Sequence, residues 1–446
     1  MERPNILYLH SHDTGRYIRP YGFDLPTPNL QRLAERGVLF RQAFCGNPTC
    51  SPSRAVLLTG RYAHANGMLG LAHRGFGLRD PKEHIVHTLR AAGYASALCG
   101  VQHVSGEAVG GADAIGYDRI LTTNAAEADA RAEAFLATPP DGPFFLDCGF
   151  SETHRTFPVP GPEDDARYVR PPAPLPDTPA TREDMAAYRA SVRALDTRMG
   201  RVLDALDRSG LADRTLVVCT TDHGIAFPGM KCSLTDHGIG VMLLMRGPGG
   251  FTGGRVCDAM VSQVDLFPTL CAFAGIAPPP WLQGISFMPW VRGERETIRE
   301  AVFAEVNAHA AMEPMRAART ARWKYIRRFD PRRRPVLPNC DAGPSKSCWI
   351  AHGWAERPLA PEALHDLVFD PNEAQNLALD PAHAGILDEM RGRLDRWMRE
   401  TGDPLLSGRL PLPAGVALDP VDGLDPSPRT ARRAAPGAWP FDGEDE

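Results

Sequence analysis

The sequence predicts an α/β protein: a large mixed, mostly parallel sheet sandwiched by helices, followed by a smaller C-terminal α+β domain. Three observations predict it. Over roughly the first 290 residues, short β-rich apolar runs alternate with longer helical patterns. Pro278-Pro279-Pro280 and Trp281 then interrupt the alternation as a seam. Beyond the seam the strand candidates are shorter and precede a single amphipathic helix. The expected domains are residues 1–295, 296–402 and a Pro-rich tail, 403–446.

Taken in order, strands are expected over residues 6–9, 94–98, 144–148, 216–219 and 241–245, each an apolar run bounded by turn formers. Helices are expected between them over 29–36, 83–92, 125–136 and 184–208, where apolar residues recur at helical spacing. Short strands over 302–306 and 323–328 and a helix over 385–401 make the second domain. From Asp403 the chain is rich in Pro, Gly, Asp and Arg with little periodicity, which predicts a draping or disordered tail.

A chain of 446 residues can hold one large core and a smaller domain. Its net charge of −5 gives no reason to expect a nucleic-acid or anionic-membrane partner. Met1 leads almost at once into a strand-like run, without a basic segment and apolar stretch between them, and no apolar run nears spanning length. The expected compartment is the cytoplasm. The ten cysteines read as small reduced core residues, with only Cys340 and Cys348 placed to form a pair.

The residues with chemistry cluster at expected strand ends. The first strand ends in Ser11-His12-Asp13-Thr14-Gly15 and a later one in Thr221-Asp222-His223-Gly224. Either His/Asp pair alone is a common turn former. Together the two form a candidate four-ligand metal site at the place where open α/β sheets put their sites. Between them in sequence lies Cys50-Ser51-Pro52-Ser53-Arg54, followed by Leu58-Thr59-Gly60-Arg61. A helix is expected to start near Ser53, with Arg54 in its first turn and its amides favouring negative charge. His103 follows the strand ending at Cys99-Gly100, and His154-Arg155 follow the strand ending at Phe150. Lys231 is one of only four lysines in an arginine-dominated chain, which hints at a retained role. His64, His84, His87, His237, His309 and His365 read as surface or core histidines, whereas His73-Arg74 and Arg316 are placed near a substrate mouth.

The Cys50–Arg61 run, Arg3-Pro4-Asn5-Ile6, Asn66-Gly67-Met68, His154-Arg155, Asp222 to Pro228, Pro314-Met315-Arg316, Trp323 to Ile326, and His365 through Leu377 together resemble the sulfatases of the alkaline-phosphatase superfamily, nearest to heparan N-sulfatases and their bacterial relatives. The resemblance covers most of the chain. It implies an alkaline-phosphatase-like fold and conversion of Cys50 to formylglycine by a dedicated generating system. One hydroxyl of the aldehyde hydrate would attack sulfur, and the other would expel sulfate by C–O cleavage. It implies His12, Asp13, Asp222 and His223 at the metal-ligand positions beside Cys50, and Arg54 steadying the hydrate. His103 would take the proton that triggers sulfate release, His154 would serve the leaving group, and Lys231 would hold a sulfate oxygen. His73, Arg74, Arg155 and Arg316 would face the substrate, a small sulfated sugar or an aryl or alkyl sulfate. His73 and His237 are the reserve candidates for the general acid.

Three departures stand out. Sulfatases usually carry Asp-Asp at His12-Asp13 and Asp-Asn at Asp222-His223, and most have a lysine where this chain has Val101. Two imidazoles make the site softer, which favours manganese, iron or zinc over calcium. An Asp-His pair at the later position also occurs in phosphonate monoesterases and phosphodiesterases, which leaves that reaction as the alternative. A non-catalytic, metal-holding relative with an unmodified Cys50 thiol is the other.

Overall fold

In the computed structural model, which describes residues 3–427, 431–435, 439 and 441, an eight-stranded sheet forms the centre of the molecule. Its strands are β1 (Asn5–Ser11), β2 (Val38–Phe40), β4 (Ala95–Gly100), β5 (Arg119–Thr122), β6 (Phe144–Gly149), β7 (Thr215–Thr221), β8 (Leu243–Arg246) and β9 (Arg255–Cys257). A short pair, β3 (Ala43–Phe44) and β10 (Val261–Ser262), stands apart from it. The order across the sheet is β5-β4-β6-β1-β7-β8-β2-β9. Every neighbouring pair runs parallel except those made by β8, which is antiparallel to both β7 and β2. The central strands β1, β6 and β7 are buried along their whole length, which is why they read as unbroken apolar runs rather than alternating ones.

Helices cover both faces and two apolar clusters fill the space between. On one face lies the long helix Pro179–Arg208, which starts five residues before the boundary expected from apolar spacing. Thr178 caps it, with its hydroxyl and that of Thr181 exchanging bonds to each other's backbone amides, and Pro179 fills the first helical position. On the other face lies the helix Cys50–Thr59, in which all ten residues are buried. It starts at Cys50 itself, not at Ser53, because Thr49 stays extended and the turn begins one residue later. Gly60, at φ 65°, ends it.

A second sheet of four antiparallel strands, β11 (Ala301–Ala308), β12 (Met312–Thr320), β13 (Trp323–Arg328) and β14 (Glu362–Asp366), pairs in chain order. The amphipathic helix Ala384–Thr401 packs on it through Leu387, Met390, Leu394 and Trp397, which join the same apolar cluster as the Cys50 helix. The described part of the tail is not loose: Leu405, Leu410, Leu412, Val416 and Leu418 are buried in that cluster as well. All ten cysteines are free, so Cys340 and Cys348 do not pair. No helix among the described residues is long and apolar enough to cross a membrane.

Candidate active site

The central parallel strands end level with one another. Ser11 pairs with Thr221 and His10 with Gly149, which in turn pairs with Gly100. His12-Asp13, Asp222-His223, the 150–155 loop and His103 therefore all leave the sheet along one edge. The Cys50 helix aims its first residue at that edge, with Cys50 Sγ 3.4 Å from His223 Nε2. Ser53 Oγ donates to the Asp222 carbonyl oxygen (2.5 Å) and so fixes the helix to the end of β7. Asp13 and His103 both hold left-handed backbone, φ 49° and 58°, a conformation disfavoured for residues with a Cβ and concentrated at functional sites.

The side chains of His12, Asp13, Cys50 and Asp222 bring one ligand atom each to within 4.8 Å of one another. His12, Cys50 and His103 form an overlapping set. His223 Nε2 lies 3.3 Å from Asp13 Oδ1 and 3.7 Å from Asp222 Oδ1. Its other nitrogen, Nδ1, bonds to the Gly224 carbonyl oxygen (2.9 Å), which makes Nδ1 the protonated one and turns the Nε2 lone pair into the cluster. Asp222 Oδ1 accepts from the backbone amides of Asp13 (2.8 Å) and His223 (2.9 Å), and Oδ2 accepts from Arg54 Nη2 (3.0 Å).

These residues fit a divalent cation. His12 Nδ1 and Asp13 Oδ1 are buried without a hydrogen-bond partner, an arrangement that costs free energy unless something else satisfies them. The charges agree. Asp13, Asp147, Asp222 and Asp341 oppose only Arg54 and Lys231 in this connected set, leaving two negative charges to balance. Burial pushes the His12 imidazole well below its usual value, with Arg54 adding to the effect, so it is neutral as a ligand must be. Burial opposes ionisation of Asp222, but His223, Arg54 and His12 outweigh it and hold the carboxyl well below the usual range. Burial also pushes the Cys50 thiol well up, against the pull of Lys231, so the unmodified side chain is a protonated thiol and a poor nucleophile.

The other expected residues divide into two groups. His103, His154 and Lys231 come to the cluster. The His12 ring lies 5.5 Å from that of His103 and 5.7 Å from that of His154, centroid to centroid, and Lys231 Nζ donates to Asp13 Oδ2 (3.0 Å). Burial, then His12 and Arg54, keep His103 neutral. His73 is exposed and stacks on His103 at 5.7 Å, at the outer edge of the cluster. Three arginines placed at the substrate by sequence are engaged elsewhere. Arg74 is buried in an ion pair with Asp419 (2.9 Å) and also bonds the Ala310 and Ala417 carbonyl oxygens. Arg155 forks onto both oxygens of Asp184 at 2.8 Å, with Phe157 and Phe227 against its guanidinium. Arg316 is fully buried against Asp403 and Glu305. Their charges are spent on holding segments together. His237, the reserve acid, bonds the Tyr17 hydroxyl (3.0 Å).

Sequence reasoning gave no functional place to several residues around the cluster. His10 and Asp147, on β1 and β6, form a buried pair (2.8 Å) behind Arg54, and the Tyr117 hydroxyl donates to the same carboxylate (2.5 Å). A histidine and an aspartate inside apolar strands were the available signal. Asp341 Oδ2 lies 2.9 Å from Lys231 Nζ, and His309, buried with Nδ1 unpartnered, stands within the field of Lys231 and Asp341. Both come from irregular segments after the seam, with no local pattern to mark them.

The family model described as Sulfatase matches residues 4–276, and that for the N-sulphoglucosamine sulphohydrolase C-terminal region matches residues 230–340. Human N-sulphoglucosamine sulphohydrolase is 31% identical over 457 residues, covering 90% of this chain and 91% of its own. The Delta 4,5-hexuronate-2-O-sulfatase of Bacteroides thetaiotaomicron is 26% identical, with 90% of each chain covered. Among solved structures, one in complex with its substrate D-glucosamine-2-N,6-O-disulfate superposes with a TM-score of 0.72 at 19% identity, over 90% of this chain and 99% of that one. The phosphonate monoester hydrolase of Agrobacterium radiobacter shares the fold at a TM-score of 0.67 and 20% identity, over 97% and 100%. The edge where Cys50 meets two His/Asp pairs lies within the matched region, and the chain is a hydrolase of the sulfatase family.

Proposed function

We propose that the protein hydrolyses a sulfate ester or sulfamate of a small sulfated sugar, using formylglycine made from Cys50 beside a divalent cation held by His12, Asp13, Asp222 and His223. The observation that carries the reading is the meeting of Cys50 with both His/Asp pairs at one sheet edge. The two-imidazole shell favours manganese or another transition ion over calcium. When present, the cation and the aldehyde hydrate supply a polarised sulfate oxygen and an ionisable attacking hydroxyl. Arg54, fixed by Asp222 and the Ser11 carbonyl oxygen (2.8 Å), orients residue 50. His103, kept neutral, is the base for the proton whose loss releases sulfate, and His154 delivers a proton to the leaving group. Lys231 binds a sulfate oxygen. We place the reaction in the cytoplasm, with a formylglycine-generating system as partner.

Hydrolysis of a phosphonate monoester or phosphodiester is the second reading. It is favoured by His223 beside Asp222 and by Val101 where a lysine would add positive charge. Mass spectrometry of the peptide carrying Cys50 tests the first step: conversion lightens it by about 18 Da. Cys50→Ala should remove turnover by orders of magnitude while the fold persists, because the residue is small and heads a helix. A Cys50→Ala enzyme within about tenfold of the wild type would sink the mechanism. A higher kcat/KM on phenylphosphonate than on aryl sulfate would select the second reading.

A further inference from the structure

Arg54 is backed by a chain of buried groups that the mechanism above does not use. Its Nη1 donates to His10 Nδ1. His10 Nε2 lies 2.8 Å from Asp147 Oδ1, and the Tyr117 hydroxyl donates to Asp147 Oδ2 (2.5 Å). A guanidinium can only donate, so the His10 nitrogen that faces it carries the lone pair. The ring proton is therefore on Nε2, where it points at the Asp147 carboxylate. Tyr8 stacks on the ring with centroids 4.6 Å apart. Gly149 leaves the ring its room: a Cβ there would stand 2.7 Å from His10 Nε2. Both His10 and Asp147 are buried, and they interrupt the apolar runs of β1 and β6, where polar side chains are costly unless paired.

The bonds on Arg54 leave one donor over. Nη2 is taken by the Ser11 carbonyl oxygen (2.8 Å) and Asp222 Oδ2 (3.0 Å), and Nη1 by His10. Nε is buried with no partner among the described residues. Arg54 stands one turn after Cys50 on the same helix, and helical side chains lean toward the N-terminus, so its stem runs back past residue 50. A carboxylate in the place of His10 would also pin Nη1, but it would cancel the positive charge beside the reacting centre. The imidazole pins the guanidinium and keeps Asp147 one ring further away.

On the formylglycine reading given above, we propose that His10, set by Asp147 and Tyr117, is a positioning residue for the reaction. Its Nδ1 lone pair fixes the Arg54 guanidinium so that Nε–H meets the hydrate oxygen at residue 50.

The test uses enzyme with Cys50 converted, and metal content is measured in every variant. The substrate is whichever of glucosamine N-sulfate, 4-nitrophenyl sulfate and phenylphosphonate the wild type turns over fastest. His10→Leu combined with Asp147→Val removes the acceptor and the charge together, so no carboxylate is left unpaired in the core. It should lose on the order of 10²-fold in kcat with KM changed less than about threefold. His10→Gln, whose amide reaches Asp147 but not Arg54, should lose as much with the carboxylate still satisfied. His10→Asn, whose Oδ1 falls near the place of Nδ1, should stay within about fivefold of the wild type. In an Arg54→Lys background, which has no Nη1 to hold, the double substitution should cost less than about twofold more. Wild-type rates to within about threefold in both the double variant and His10→Gln overturn the proposal. So does an undiminished loss in the Arg54→Lys background, because a merely structural role gives that result. Loss of the metal from the double variant overturns it too, since His10 would then be supporting the ligands rather than Arg54. Converted, metal-loaded wild type that turns over none of the three substrates removes the formylglycine reading and the proposal with it.

Discussion

Cys50, His12, Asp13, Asp222 and His223 were legible in the sequence because each lies beside the element that positions it. The end of a strand or the start of a helix fixes where a side chain points, so a short motif carries most of the geometry. Lys231 and His154 are the next test of the reading. An electrostatic stabiliser in such a site contributes about 3–4 kcal/mol, on the order of 10²–10³ in rate, so Lys231→Ala should lower kcat/KM by at least that factor. His154→Ala should slow a sugar sulfate, whose alkoxide leaves poorly, far more than nitrophenyl sulfate, whose phenolate departs unaided. Equal slowing of both would assign His154 to sulfate binding or structure. Since Arg155 is locked to Asp184 and Arg316 to Asp403, neither can take over for Lys231.

At the scale of elements, strand alternation gave the central sheet but not its edges. β2, β5 and β9 are three or four residues long, too short for a pattern, and β5 is exposed at two of its four positions. The helix at Cys50 starts earlier than expected because the fold, not capping chemistry, sets its first turn: Thr49 makes no side-chain cap bond. The turn after β13 carries a polar group whose cost can be measured. Asp330 is buried, with Oδ2 unpartnered, and burial followed by Glu313 raises its carboxyl from the ordinary 3.8 to about 6. A folded value above the unfolded one means the contribution to stability is intact below pH 3.8 and is lost as pH rises through about 6. The raised value corresponds to about 2–3 kcal/mol between those limits. Asp330→Asn should therefore gain about 2 kcal/mol more at pH 7.5 than at pH 4.5, read by denaturant unfolding at both. The same gain at both pH values would show that Asp330 ionises without penalty.

At the scale of the whole molecule, what sequence could not supply was the pairing of distant charges. Arg74 meets Asp419 across 345 residues and Arg316 meets Asp403 across 87, and nothing near an arginine names its partner. An arginine close to a motif was therefore read as facing substrate when it was tying the tail to the body. The tail's composition, rich in Pro and Gly, hid the same fact: its few apolar residues are spaced irregularly because they pack as a strap, not as a helix or strand. Burying Leu405, Leu410, Leu412, Val416 and Leu418 contributes about 1.5–3 kcal/mol each, less whatever a compact unfolded chain already buries. That total, about 10 kcal/mol, is comparable to the 5–15 kcal/mol by which a folded domain is stable at all. Removing Asp403 and Asp419 with the strap takes the carboxylate from Arg74 and leaves Arg316 with Glu305 alone; breaking a buried pair in this way costs up to about 3–5 kcal/mol. A chain ending after residue 402 should therefore be insoluble or unfold without a cooperative transition. Its Cys50 edge would be lost with it, since the Cys50 helix and the strap share one apolar cluster. A truncated chain that stays soluble and melts within a few degrees of the full one would show the tail to be a cover rather than part of the core.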